Sequence, residues 1–187
     1  MLVRKVHLQQ RHPGDLRPAR TPPEPAAVLR ADQLSGDVPR ALYHLIGRAH
    51  GWTARRCWDA HDWEQHHARP DREIWVARYR RAHVGFAELA VHGSDVQIKY
   101  LGLMRSFQGR GLGGQFLTEI TRQAWRMHER VAGAPVVRRV VLTTSSLDGP
   151  SALSNYLARG YSVVDRTTAR CRLPVPAGAL YRVMARP

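Results

Sequence analysis

The 187-residue sequence has only two cysteines, Cys57 and Cys171. Two thiols cannot build a disulfide framework or a four-thiolate zinc site, so we expect both cysteines to be free and expect no metal. The sequence also lacks the run of about 18 to 20 apolar residues that a membrane-spanning helix requires. Residues 1–13 carry charges where a signal peptide needs an apolar segment. The sequence therefore predicts a cytoplasmic protein with no membrane partner.

Acidic residues are scarce. There are 15 Asp and Glu residues against 29 Lys and Arg residues, which gives a formal net charge of +14. The positive electrostatic field of such a protein attracts polyanions. The arginines, however, are dispersed from Arg4 to Arg186, without the basic runs interleaved with aromatic residues that mark a nucleic-acid surface. A nucleic-acid partner is therefore an alternative that the sequence does not favour.

The length fits one domain with a single core. Prolines within residues 11–25 indicate an extended arm, so we divide the chain into an edge strand with a proline-rich arm, residues 1–25, and one α/β domain, residues 26–187. Three closely spaced strand patterns between residues 73 and 104 predict an antiparallel meander. The predicted helices are 39–49, 58–67, 112–130 and 150–159, and the predicted core strands are 26–34, 73–79, 83–91, 96–104, 136–144 and one or two within 162–173.

Three glycines, Gly109, Gly111 and Gly114, stand between a predicted strand and a predicted helix. Glycine lets the backbone approach an anion closely, and a helix N-terminus offers unpaired N–H groups and a positive dipole end. The segment therefore predicts a diphosphate site. The spacing also fits the G-x-G-x-x-G pattern of dinucleotide-binding folds. That alternative lacks an acidic residue after a second parallel strand, because Glu129 lies in the predicted helix.

With Gln108, Gly111 and Gly113 in the fixed places of Q/R-x-x-G-x-G/A, the segment resembles the acetyl-CoA motif of the GNAT N-acetyltransferase superfamily. Residues 98–104 resemble the superfamily's fourth strand, and residues 152–161 resemble its A-x-x-x-Y-x-x-x-G-F/Y helix. The resemblance implies a mixed, largely antiparallel and twisted sheet flanked by helices. It also implies that the central strands, 96–104 and 136–144, splay apart to admit the pantetheine arm of acetyl-CoA.

The resemblance further implies acetyl-CoA as co-substrate and direct transfer of its acetyl group to a primary amine. The N–H of Leu103 or Met104 would bond to the acetyl carbonyl. Tyr156 would protonate the departing thiolate, because a phenol stays protonated at neutral pH; the alternative is that Tyr156 is a core residue. In many relatives an asparagine that contacts CoA stands where this chain has Gly149. The residues expected to bind the phosphates are Gln108, Gly109, Arg110, Gly111, Leu112, Gly113 and Gly114.

The general base is where the sequence departs from the family. One branch of the superfamily has a glutamate at the position of Gln97, and an amide cannot accept a proton at neutral pH, although it can orient water or substrate. Glu88 on the preceding strand is the substitute candidate, and it fits a solvated carboxylate paired with arginine equally well. His83 and His92 rank lower because they lie near turns. A third option is that water removes the proton without a dedicated base.

Acids and tryptophans alternate within residues 52–67. Aromatic faces beside carboxylates favour a cation, so we expect Trp58, Asp59, Asp62 and Trp63 to bind the ammonium group of the acceptor. The alternative is that the tryptophans pack onto the sheet while the acids face water. A metal site at Cys57 and the neighbouring histidines is not favoured.

The preferred acceptor is a small-molecule amine. Two alternatives stay open: an acetylase of a protein or aminoacyl-tRNA amine, and a non-catalytic acyl-CoA-binding module. The sequence leaves open the identity of the acceptor, the length of the acyl chain, and whether the protein is a monomer or a homodimer.

Overall fold

The computed structural model describes residues 1–170, apart from the side chain of Gln33. Cys171 and the end of the strand predicted at 162–173 lie outside the described residues. No helix among the described residues is both long and apolar enough to cross a bilayer. The helices are α1 (Asp37–His50), α2 (Ala60–His67), α3 (Leu112–Trp125) and α4 (Ala152–Ala158). The strands are β1 (Leu2–Gln10), β2 (Ala27–Arg30), β3 (Arg72–Tyr79), β4 (Ala82–His92), β5 (Asp95–Leu103), β6 (Arg139–Ser145) and β7 (Ser162–Arg170).

The described strands form one seven-stranded sheet in the order β2-β3-β4-β5-β6-β1-β7. Strands β3, β4 and β5 are the predicted antiparallel meander. The pair β5 and β6 is parallel, and the other neighbouring pairs are antiparallel. The predicted mixed, largely antiparallel α/β fold is therefore confirmed.

Strand β1 lies inside the sheet, between β6 and β7, so the prediction of an edge strand is wrong. Val6 is opposite Thr144 of β6 on one side and Arg166 of β7 on the other. Leu8 and Gln10 are each only 1% exposed. The alternation of apolar and basic residues arises because one face of this strand is open to solvent, which an interior strand of an antiparallel sheet permits.

Helices cover the two faces of the sheet. Phe116 and Ile120 of α3 are fully buried against one face, in the larger apolar cluster. Leu42 and Ile46 of α1 are buried in a second cluster against the other face. In both helices these apolar residues recur four positions apart, which places them on one side of the helix.

The helix predicted to reach Arg130 ends at Trp125. A 3-10 turn over Met127–Glu129 follows it. This tighter turn brings Met127 into the core, where it is fully buried. The spacing of apolar residues in the sequence extends past the end of the α-helix because Met127, in the following turn, also faces the sheet.

Strands β5 and β6 separate halfway along β5. Their pairing ends where Ile98 meets Leu142, whereas β5 continues to Leu103. At the same point the register of β5 against β4 shifts, so that Lys99 has no opposite residue. A bulge of this kind bends the strand that carries it. The predicted separation of the two central strands is therefore present and coincides with a bulge.

The proline-rich arm packs onto α3 of the same domain. The amide of Ala19 donates to Thr118 Oγ1 at 3.0 Å. The side chain of Gln115 donates to the carbonyl of Ala26 at 2.8 Å and accepts from its amide at 2.9 Å. Gln115 and Thr118 lie on the side of α3 opposite its apolar stripe. The helix is thus enclosed between the sheet and the arm.

Candidate active site

A cleft of about 610 Å³ opens where β5 and β6 separate. One wall is the end of β5, and the opposite wall is α4 with the loop before it. The glycine-rich loop and the start of α3 close one end, and the end of α1 contributes at the other side. The lining residues are His50, Trp52, Leu101, Gly102, Leu103, Gln108, Gly109, Gly111, Gly113, Gly114, Asp148, Gly149, Pro150, Ser151, Ala152, Ser154, Asn155, Tyr156 and Ala158.

The glycine-rich loop leads from β5 into α3. Gly109 and Gly111 have φ angles of 76° and 78°, which strain any residue with a side chain. A side-chain carbon at Gly109 would meet only open space, so the loop leaves room in front of its backbone. The amides that open α3 have no partner within the helix. Together they form a concave set of donors that suits a diphosphate.

Gln108 fixes this loop to the end of β5. Its Nε2 atom donates to the carbonyl oxygen of Leu103 at 3.1 Å. The side chain of this motif residue therefore binds the protein's own main chain in the structure. Because the hydrogen bond spans the turn between β5 and α3, it holds the loop at a defined distance from the strand end.

The amide of Leu103 faces the cleft, whereas that of Met104 does not. Met104 donates its N–H to the carbonyl of Val84 at 2.8 Å, across the ladder between β4 and β5. In an antiparallel pair, successive residues bond alternately to one side and the other. The N–H of Leu103 therefore points away from β4, to the side from which β6 has separated. Of the two predicted donors, Leu103 is therefore the one whose N–H points into the cleft.

Tyr156 lies on α4 and lines the cleft, with 8% of its surface exposed. Burial, followed by the charge of Asp148, raises the pKa of Tyr156 above its ordinary value. The phenol is therefore fully protonated at neutral pH. No residue in the described part of the chain accepts a hydrogen bond from its hydroxyl.

Glu88 lies outside the cleft lining and is fully buried. Its carboxylate is 2.5 Å from Arg55 Nη1, 3.3 Å from Arg72 Nη1 and 3.2 Å from His66 Nε2. Burial raises the pKa of Glu88, but the contacts with His66 and Arg55 outweigh burial and lower the pKa to about 2. The carboxylate is neither solvated, as one interpretation expected, nor placed beside the loop and Tyr156.

Arg55 occupies the aromatic surface that the sequence assigned to a substrate cation. Its guanidinium carbon lies 4.8 Å from the ring centre of Trp58 and 5.3 Å from that of Trp63. Tyr43 and Tyr100 complete the enclosure at 5.4 Å and 5.0 Å. The cation that these rings contact in the structure is therefore a side chain of the same protein.

The two acids of this region stabilise the start of α2. Asp59 Oδ1 accepts from the amide of Asp62 at 2.9 Å, and Asp62 Oδ2 accepts from the amide of Asp59 at 3.1 Å. This reciprocal arrangement is a capping box. Trp58, Asp59, Asp62 and Trp63 do not line the cleft, and neither does Gln97, which lies on β5 opposite Ala90 and Val141.

Three polar cleft residues are not among the site residues predicted from the sequence. His50 ends α1, Asp148 follows β6, and Asn155 lies one residue before Tyr156. Asp148 Oδ2 accepts from Thr144 Oγ1 at 2.7 Å and from the amide of Ser145 at 2.8 Å, so it holds the end of β6. The described residues contain no group of three or more side chains placed to bind a metal ion.

The model of the GNAT acetyltransferase family matches residues 40–135, slightly more than half of the chain. The chain belongs to this family. The match includes β3 to β5, the glycine-rich loop and the whole of α3. A comparison with curated protein sequences gave no match.

Solved structures share the fold. A GCN5-related N-acetyltransferase from Kribbella flavida has a TM-score of 0.60 at 22% identity, over 86% of this chain and 54% of that one. One from Sphaerobacter thermophilus has a TM-score of 0.59 at 19% identity, over 88% and 50%. A tandem GNAT protein from the clavulanic acid biosynthesis pathway has a TM-score of 0.60 at 15% identity, over 90% and 53%. The chain thus spans about half the length of these proteins.

Proposed function

We propose that this protein is an N-acetyltransferase that moves an acetyl group from acetyl-CoA directly to a primary amine, with a small molecule as the preferred acceptor and the cytoplasm as its location. The observation that carries the proposal is the single cleft that contains both the glycine-rich loop and Tyr156. A diphosphate held at the loop leaves the rest of the cleft, beside the free amide of Leu103, for a thioester.

The residues present fit acetyl-CoA as co-substrate. The amides from Gly109 to Gly114 would hold the diphosphate, and the separation of β5 and β6 would admit the pantetheine arm. When bound, acetyl-CoA supplies an activated acetyl group as a thioester. The N–H of Leu103 would donate to the carbonyl oxygen as negative charge develops on it, which lowers the barrier to attack. Tyr156 would donate its proton to the thiolate that leaves.

The attacking amine must also lose a proton. We assign this step to His50, directly or through a water molecule, because its imidazole lines the cleft and imidazole is the commonest general base in enzymes. His50 faces the loop before α4, where its Cε1 atom lies 3.8 Å from the position that a side-chain carbon of Gly149 would occupy. Glu88 is not assigned this role, since a carboxylate with a pKa of about 2 is a weak base.

The acceptor can be tested by screening amines, peptides and aminoacyl-tRNA with acetyl-CoA while following the release of free thiol. Longer acyl-CoA thioesters in the same assay define the acyl chain. We expect transfer to at least one small amine. Transfer only to peptides or to aminoacyl-tRNA would replace the small-molecule acceptor by a macromolecular one.

Calorimetry with CoA separates the remaining outcomes. Binding of CoA without transfer to any amine would favour a non-catalytic acyl-CoA-binding module. If CoA does not bind at all, both the enzymatic and the non-catalytic proposals fail.

A further inference from the structure

A second cavity, of about 280 Å³, lies at the β2 edge of the sheet. Strand β2 ends at Arg30, which is opposite Trp75, so none of the described strands covers residues 72–74 of β3 on that side. The cavity occupies the space between this uncovered edge, the end of α2 and residues 130–131 after α3. It shares no lining residue with the cleft and is therefore a separate site.

Arginines dominate the wall of this cavity. They come from four places in the chain: the end of β2, the segment between α2 and β3, the start of β3, and the segment after α3. The four arginines are Arg30, Arg69, Arg72 and Arg130, and the two acids that line the cavity with them are Asp32 and Glu73. A guanidinium keeps its charge at any physiological pH. The wall therefore has two more arginines than acids.

The acids behind the wall reduce this excess without removing it. Arg69 donates from Nε and Nη2 to Asp71 at 2.9 Å each. Arg72 Nη1 donates to Glu88 Oε1 at 3.3 Å, but Glu88 is shared with Arg55. With these residues included, five arginines face four carboxylates, namely Arg30, Arg55, Arg69, Arg72 and Arg130 against Asp32, Asp71, Glu73 and Glu88. One positive charge within this group lacks a countercharge.

The same arginines keep donors that the protein does not use. Arg69 Nη1 and Arg72 Nη2 form no hydrogen bond with any residue that the structure describes. Arg30 Nη1 lies 3.7 Å from Glu73 Oε1, which is beyond hydrogen-bonding distance. The side chains of Arg30 and Arg69 are 38% and 52% exposed, so a solute that enters the cavity can reach them.

We propose that this cavity binds a small anion with two or more negative charges, and that Arg30, Arg69 and Arg72 hold it. Charged oxygens on a compact molecule are the chemistry that guanidinium groups bind by parallel hydrogen bonds, and phosphate and carboxylate groups both present it. The volume suits a molecule smaller than most bound cofactors. The site lies outside the proposed acetyl-transfer cleft, so the inference does not rest on the proposed function.

The test is an NMR titration of the full chain with inorganic phosphate and, separately, with citrate, at constant ionic strength and with CoA present. CoA occupies the glycine-rich loop, which would otherwise also bind phosphate. We expect saturable shifts of the amide signals of Ala68, Ile74 and Val131, which line the cavity, and none for Gly111 and Gly113 in the cleft. Tighter binding of phosphate identifies a phosphorylated ligand, and tighter binding of citrate identifies a carboxylate ligand.

Arg30→Gln and Arg69→Gln should each raise the Kd for the anion by about 10-fold, the loss expected for a charge-assisted hydrogen bond. Arg122→Gln is the matched control: like Arg69, Arg122 is half-exposed and paired with an acid, but it lies on α3 and does not line the cavity. It removes the same charge and should leave the Kd unchanged. Circular dichroism checks the fold of each variant, and the more exposed Arg69 provides the measurement if Arg30→Gln does not fold.

An absence of saturable shifts at the cavity amides in the wild type would overturn the inference. Shifts confined to Gly111 and Gly113 would also overturn it, because the anion would then bind in the cleft. So would an equal loss of affinity in Arg122→Gln, since binding would then follow the overall charge. If CoA does not bind to the wild type, the proposed function fails, whereas the cavity amides still report on this site because their signals are separate from those of the loop.

Discussion

Arg55 and Glu88 form a buried ion pair with two contacts, in which Nη1 lies 2.5 Å from Oε2 and Nη2 lies 2.7 Å from Oε1. The pair joins the segment between α1 and α2 to the middle of β4. It places a candidate catalytic carboxylate and the candidate substrate cage in one internal cluster, on the face of the sheet that α1 covers. The consequence is that this cluster should matter for stability before it matters for catalysis.

Glu88→Gln should lower the free energy of unfolding by about 3–5 kcal/mol, because it leaves Arg55 buried without a countercharge. Urea unfolding at neutral pH measures the change. Glu24→Gln is the control, since Glu24 pairs with Arg80 on the exposed surface and its loss should change the free energy of unfolding much less. Equal effects of the two substitutions would contradict a structural role for the buried pair.

The same pair predicts the response of stability to acid. The pKa of Glu88 is lowered in the folded protein, from 4.5 to about 2. A lowered carboxyl pKa means that the stabilisation is complete above the unfolded value and is lost as the pH falls through the folded value. Wild type should therefore lose stability faster than Glu88→Gln between about pH 4.5 and pH 2. Parallel curves in urea unfolding across this range would show that Glu88 does not titrate there.

Tyr156→Phe should reduce kcat by about 100-fold or more, because it removes the proposed proton donor, while the Kd for CoA stays the same. Thiol release and calorimetry measure the two quantities. Tyr161→Phe gives the opposite pattern: its buried hydroxyl contacts Thr121 Oγ1 at 2.8 Å, so its loss should cost about 1 kcal/mol of stability without lowering kcat. Wild-type turnover in Tyr156→Phe would exclude Tyr156 as the acid.

His50→Gln should slow acetyl transfer, because it removes the side chain that we propose as the general base. Thiol release with a small amine measures the rate, and calorimetry with CoA shows whether the variant still binds the co-substrate. His44→Gln is the control, because His44 lies on the same helix but does not line the cleft. Turnover at the wild-type rate in His50→Gln would exclude His50 as the base.

Gly160→Ala should weaken the contact between the arm and the domain. A side-chain carbon at Gly160 would lie 1.8 Å from the carbonyl oxygen of Asp15, and its φ angle is 87°. Gly133 has a φ angle of 74° with nothing within 4 Å, so Gly133→Ala measures the backbone strain alone. Limited proteolysis should cleave the arm faster in Gly160→Ala than in Gly133→Ala. Similar cleavage of both would indicate that the arm does not depend on this contact.

Most of the fold could be predicted from the sequence because the signals are local. The meander follows from short turns between strand patterns, and the start of α3 follows from the glycines before an apolar helical period. The interior position of β1 could not be predicted, because its partners are far along the chain and its pattern reports only which face is exposed.

The position of the glycine-rich loop in the cleft could be predicted because glycines mark the backbone conformation that this loop adopts. The roles of individual side chains were harder to predict from the sequence. An aromatic residue beside an acid, as at Trp58 and Asp59, is typical of a cation site. Arg55, three residues before Trp58, binds the same ring. Because Arg55 is part of the chain, it loses no translational freedom on binding, whereas a free substrate cation would. His50 carried no signal, since the end of a helix becomes a cleft wall only once the sheet is assembled.

The interior position of β1 has a consequence for how the protein forms. Strand β1 is synthesised before the meander and α3, whereas its two neighbours in the sheet, β6 and β7, are synthesised after them. Until then β1 has no partner in the sheet, and pairs so far apart in sequence form slowly. Ribosome-bound chains that stop before β6 should therefore leave residues 2–10 open to proteases or to a chaperone, even when the meander has already folded.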